Sequence, residues 1–216
     1  NGNRPLDKEA SVRALRLLLG HEPLPEIAEP AAPAPTDATE AADGAATEPE
    51  ADDPLDVPAP RVVFFDLETQ RAASEVGGWH NAHLMRLAVA VTWDSRSGAF
   101  RAWREGEVEG LLDHLARADL VVGFNVRRFD YRVLRGYTER DLGALATFDM
   151  LDAIHARLGY RLSLAHLAEQ TLGAGKSGDG LQSIAWWREG RHDLVESYCR
   201  RDVEILRELF EHAVRE

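Results

Sequence analysis

The chain has 216 residues, a net charge of −12 and a single cysteine, Cys199. That length supports one domain with a sizeable core. One cysteine excludes an internal disulfide or a Cys-based zinc site and fits a reducing, cytoplasmic location. No apolar run reaches membrane-spanning length and the N-terminus carries no signal-type apolar core, so neither a membrane role nor export is expected.

The charge is unevenly spread. All ten prolines fall in residues 1–60, where four Lys+Arg face thirteen Asp+Glu for a net of −9. Residues 61–216 carry 21 against 24, a net of −3. Only two basic residues are lysine, Lys8 and Lys176.

In chain order, residues 7–19 read as a short helix, with Asp7 as cap, Val12, Leu15, Leu18 and Leu19 as a stripe and Gly20 as stop. Residues 22–60 are Ala, Pro, Glu, Asp and Thr with few large apolar side chains. Such a segment buries too little surface to offset the entropy of ordering, which predicts a disordered acidic linker. The predicted organisation is a helix in 1–21, a linker over 22–60 and one folded domain over 61–216.

Val62-Val63-Phe64-Phe65 predicts a buried strand. Leu87–Trp93 and Ala99–Trp103 flank Asp94–Gly98, a hairpin signal. Glu107–Ala118 has helical periodicity, and Leu120–Phe124 reads as a second buried strand. Helices follow at about 129–136, 149–158, 163–172, 181–189 and 192–214, with a short strand at 145–148. The order predicts an α/β fold, a mixed sheet with helices on its faces.

Three acidic groups stand out. Asp66 and Glu68 follow the first apolar run two residues apart, so both project from one face of a strand. Adjacent carboxylates repel unless a cation lies between them, and a divalent cation with oxygen ligands answers that need; a Glu68 that caps a turn in solvent is the alternative. Asn125 to Asp130 follows the second run. Asp130 there either joins the first pair or favours a helix dipole. Tyr198 and Asp202 are i and i+4 on the last helix and share a face, beside Leu194, Val195, Val203, Leu206 and Phe210.

Taken together, Asp66-x-Glu68, Asn125 to Asp130 and Tyr198-x-x-x-Asp202 closely resemble the DEDD 3′–5′ exonuclease superfamily, whose fold is ribonuclease H-like. Tyr198, four before the last Asp, resembles the DEDDy branch; the sister branch needs a histidine where Ser197 stands. Residues 61–216, including Val76–His80 and Gly175–Gln182, are similar to the YprB-like ribonuclease H domain family. Arg127 and Arg128 stand where many relatives carry smaller or apolar residues.

The resemblance implies two-metal phosphodiester hydrolysis with two divalent cations, Mg²⁺ or Mn²⁺, about 4 Å apart. It implies Asp66, Glu68, Asp130 and Asp202 as metal ligands and Tyr198 as the group that orients the attacking water. The substrate would be DNA or RNA, with a single-stranded 3′ end, and a helicase or other nucleic-acid-processing protein a partner. Two bound divalent cations would turn the −3 of residues 61–216 into +1, which removes the objection that acidity poses to a nucleic-acid substrate.

Further candidates have plain alternatives. Lys176, in a Gly-rich loop, either contacts a phosphate or is solvated; Gln170 in place of the first glycine excludes a P-loop. Asn125 either contacts substrate or caps a turn. Arg128, with Arg127, Arg132 and Arg135, forms a basic rim or a solvated face. Trp186-Trp187 stacks on a base or packs inward. Asp149 caps a helix or supports the metal ligands. His80 and His83 lack a third ligand for zinc. Two other functions compete: a catalytically inactive binding module of the same fold, and an aspartyl phosphohydrolase, which would want Asp in place of Glu68.

Overall fold

The computed structural model describes residues 59–173 and 180–215. The expected N-terminal helix, nearly all of the acidic linker, and Lys176 lie outside the described residues. Val62–Thr69 forms β1, and its β-branched and aromatic side chains suit a strand covered on both faces. Leu87–Asp94 (β2) and Ala99–Trp103 (β3) form the expected hairpin. Val108–Ala116 is α1, Leu120–Gly123 is β4, Asp130–Leu134 is α2 and Thr147–Asp149 is β5. Met150–Leu158 (α3), Leu164–Leu172 (α4), Gly180–Arg188 (α5) and His192–Arg215 (α6) follow.

The sheet order is β3-β2-β1-β4-β5. β2 runs antiparallel to β1 and β3, while β1, β4 and β5 are parallel. Strand alternation divides the core. Val63, Phe65 and Leu67 of β1 pack against Val108, Leu111, Leu112 and Leu115 of α1 on one face. Val62 and Phe64 pack on the other face with Val195, Cys199, Val203, Leu206 and Phe210 of α6. Asp66 and Glu68 have the parity of Val62 and Phe64, so they continue the α6 face. There the strand pairing breaks at a bulge between Glu68 and Thr69.

The helices begin and end within about two residues of the expected places, and α1 stops at Ala116, short of the expected Ala118. The turn of helix after Asp130 stops at Leu134, short of the expected 136. Gly136 packs so close to the His83 carbonyl that a Cβ there would sit 2.3 Å from it. The stretch between β1 and β2, without a predicted element, folds as 3₁₀ turns at Ala73–Glu75 and Trp79–Leu84. No helix among the described residues is long and apolar enough to cross a membrane.

Candidate active site

β1 and β4 are parallel, so their carboxyl ends open on the same edge of the sheet, the usual place for ligands in open α/β sheets. β1 delivers Asp66 and Glu68 to that edge. α6 crosses the same face and delivers Tyr198 and Asp202, one turn apart. Ligand oxygens of Asp66, Glu68 and Asp202 all lie within 4.8 Å of one another, so the three can hold one metal ion.

Asp130 stands outside that trio but inside its field. It is 1 % exposed, and its Oδ1 is buried without a hydrogen-bond partner among the described residues. Burial, then the charge of Asp66, raises its pKa well above the ordinary value, and Asp149 and Glu68 add to the effect. A buried carboxylate oxygen with no donor is costly unless a cation meets it. The donor set is oxygen only, which suits Mg²⁺ or Mn²⁺ and not zinc.

The other carboxylates behave alike. Burial and then Asp202 push Asp66 up; burial and then Asp66 push Glu68 up. The opposing influences are neutral hydrogen-bond donors, among them the Leu67 backbone toward Asp66. Cys199 Sγ lies 3.4 Å from the Asp66 carbonyl oxygen and 3.5 Å from Asp66 Oδ2. Ser183 Oγ donates to Glu68 Oε2 at 2.5 Å. The main influences on Asp66, Glu68 and Asp130 are burial and neighbouring acids, Asp202 among them, a repulsion that a bound cation would relieve.

Tyr198 is half-buried with its hydroxyl hydrogen-bonded to Asp202. Burial and then the charges of Asp202 and Glu68 raise its pKa far above the usual phenol. The edge of Trp186 meets its ring at 6.3 Å between centroids.

The loop that brings in Asp130 is built by Asp149. Gly123 is needed first: a Cβ there would lie 2.6 Å from Val126 Cβ. Asn125 then takes a left-handed conformation, φ 64°, which asparagine tolerates. Asp149 accepts the Asn125 N–H at 2.8 Å and the Arg127 N–H at 3.1 Å. It also caps α3 through the Leu151 and Asp152 N–H groups. One carboxylate thus caps α3, as expected, and also holds the backbone of the loop that leads to Asp130.

The remaining candidates fall outside the acidic cluster. The Asn125 side chain accepts from Arg161 Nη2 at 2.6 Å. Arg128 is exposed and pairs with Asp152 at 3.5 Å, and Arg127 Nη2 donates to the Thr147 carbonyl. Trp186 and Trp187 are both partly buried; Trp187 stacks on His192 at 4.1 Å, so the bulk of the pair packs. Sequence reasoning missed Ser183. It is fully buried on α5, and nothing in spacing links it to Glu68, 115 residues earlier.

No curated protein matches the chain in sequence. Among solved structures, the family B DNA polymerase from the hyperthermophilic archaeon Pyrobaculum calidifontis is similar, with a TM-score of 0.55 and 17% identity. The match covers 71% of this chain and 24% of the polymerase, so the chain spans about a quarter of that protein. That likeness concerns the fold. A family model describing the RNase_H superfamily matches residues 63–214, which include the acidic trio, Asp130 and Tyr198, and the chain belongs to that superfamily.

Proposed function

We propose that the domain is a metal-dependent 3′–5′ exonuclease of the DEDDy type, acting on single-stranded DNA or RNA ends. What carries the reading is the convergence of Asp66, Glu68 and Asp202 on one point, with Asp130 buried nearby and its Oδ1 without a hydrogen-bond partner among the described residues. The similarity to a DNA polymerase adds a nucleic-acid context. A domain kept only for binding has no need to retain four mutually repelling carboxylates, which favours hydrolysis over an inactive module.

Asp66, Glu68, Asp130 and Asp202 would hold two divalent cations, Mg²⁺ or Mn²⁺. When bound, such cations offset the charge of the phosphodiester and acidify water. The protein's own groups do the positioning. Tyr198 keeps its proton throughout the physiological range and orients the attacking water through its hydroxyl, a contribution of geometry and not of basicity. Ser183 and Cys199 restrain Glu68 and Asp66. Asn125, Arg128 and Lys176 are proposed to contact the strand. A cytoplasmic setting and a helicase or similar partner belong to the same reading.

The test is Mg²⁺- or Mn²⁺-dependent digestion of end-labelled single- and double-stranded DNA and RNA, with Asp66→Ala and Asp202→Ala as controls. A ladder that shortens from the 3′ end, lost in both variants, is expected. Internal cuts would replace the exonuclease with an endonuclease; no cutting by pure protein would leave a binding module.

A further inference from the structure

Five tryptophans occur in the chain, and one of them stands in solvent. Trp79 is 68% exposed. An indole left this open costs apolar burial, yet its backbone is firmly built. Gly77 and Gly78 take φ values of 83° and 120°, conformations that favour glycine, and turn the chain just before it. Gly78 N–H donates to the Ala73 carbonyl at 2.8 Å, and Asn81 Nδ2 to the Val76 carbonyl at 2.8 Å. The side chain is presented outward by a fixed turn.

Its position ties it to the acidic cluster from two sides. The Trp79 ring meets Phe129 edge to face, 5.8 Å between centroids, and Phe129 directly precedes Asp130. Glu75, in the same segment, pairs with Arg188 of α5, the helix whose Ser183 holds Glu68. The segment 73–84 thus bridges the two elements that flank Glu68 and Asp130, and Trp79 forms its exposed rim.

We infer that Trp79, backed by Phe129, is a stacking platform for an unpaired base of a single-stranded nucleic acid whose end lies in the acidic site. This rests on the nucleic-acid substrate proposed above. An aromatic face takes any base, because every base has a π-face, and a duplex offers none unpaired. A rim that carries stacking in place of positive charge also fits a domain with a net charge of −3 over residues 61–216. Preordering of the indole lowers the entropy cost of capture.

The experiment measures binding of a short 5′-fluorescent oligothymidylate by anisotropy, with Ca²⁺ replacing Mg²⁺ to slow cleavage. Wild type, Trp79→Ala and Trp79→Phe are compared, along with strands carrying one abasic residue moved stepwise from the 3′ end. Trp79→Ala is expected to weaken binding about 5- to 100-fold, and Trp79→Phe to keep most of the affinity. One abasic position should weaken wild type and leave Trp79→Ala indifferent. Equal binding by wild type and Trp79→Ala overturns the inference, as does an abasic series without effect on wild type. Hydrolysis of bis(p-nitrophenyl) phosphate, which has no base, is followed in parallel with Mn²⁺ and should be the same in all three proteins. If the strand binds through Trp79 but neither substrate is cleaved, the hydrolase reading fails and the platform stands. If cleavage persists and Trp79→Ala binds normally, the platform alone fails.

Discussion

The two ends of β1 treat carboxylates in opposite ways. Near its start, Asp94 of β2 lies opposite Val63 and accepts from Arg61 Nε at 2.9 Å and Nη2 at 2.5 Å. It also accepts the Arg96 N–H at 3.0 Å, with His114 Nε2 3.7 Å away. Burial pulls the Asp94 pKa up, but Arg61 and the Arg96 N–H outweigh it and hold the carboxyl below its ordinary value. Near the end of the strand, Asp66 and Glu68 sit among further acids and are driven up. In the first cluster Arg61 compensates the carboxylate from within the protein; in the second the acids crowd one another, and the proposed function assigns their compensation to a bound cation. A buried charge that the fold leaves uncompensated is a functional candidate, whereas a compensated one holds structure.

The sharpest way to break this contrast is Asp66→Asn. It should lower the rate about 10³-fold or more, since a catalytic metal contributes several kcal/mol and each 1.36 kcal/mol is a factor of ten. The same change should leave the metal-free protein as stable as wild type or raise its Tm by a few degrees, because it removes repulsion. Initial rates and thermal melts in a chelator check both halves. A large fall in metal-free stability would mean that Asp66 is structural like Asp94. Next in size is Ser183→Ala. Groups that hydrogen-bond a metal ligand are worth about 10–100-fold in metal affinity. The Mg²⁺ or Mn²⁺ concentration at half-maximal rate should rise about tenfold, with a smaller change in the rate at saturating metal.

The sequence shows one end of β1 better than the other. Strand period two and helix spacing four place Asp66 with Glu68, and Tyr198 with Asp202, on shared faces without knowledge of tertiary structure, and the resemblance carried by their combined order is what marks them as site candidates. β1 and β4 were readable for the same kind of reason, as apolar runs bounded by polar residues. The Arg61, Asp94 and His114 cluster depends on three elements meeting, and no local period encodes that. Ser183 is hidden for the same reason. The 3₁₀ turns of 73–84 lack a repeated apolar period, so Trp79 entered only as part of the family-like stretch Val76–His80 and without a role of its own, while the adjacent pair Trp186-Trp187 drew attention. That pair is claimed by packing, because α5 lies against α6 and the edge of Trp186 meets Tyr198.

Asp94→Asn tests the compensated end. It leaves the partly buried Arg61 without its carboxylate, at a cost of about 1–3 kcal/mol, which lowers Tm by about 2–12 °C in a domain of this size. Below that temperature, metal-dependent activity per folded molecule should match wild type. A loss of activity larger than the loss of folded protein would join the two ends into one functional unit.

The smallest effect, and the most discriminating, is the pH dependence of metal-free stability. Asp66, Glu68 and Asp130 have raised pKa values when folded, so the folded state binds protons more tightly than the unfolded chain. Between the ordinary carboxylate range near ~4 and those raised values, stability must increase as pH falls. Asp94 has the opposite sign: its contribution is present above the ordinary value and disappears as pH falls through its lowered one. Melting in a chelator should therefore give a Tm that climbs by a few degrees from neutral pH toward about pH 5, then drops in stronger acid as the carboxylates' ordinary range is passed. Asp66→Asn should flatten the climb, and Asp94→Asn should lower the whole curve and soften the acid drop. Saturating Mg²⁺ should raise the neutral end most, because metal binding needs the ionised ligands and stabilises only the fold that brings them together. A chelated protein whose Tm falls steadily from neutral pH downward would show that the site carboxylates are already compensated from within, and the contrast between the two ends of β1 would dissolve.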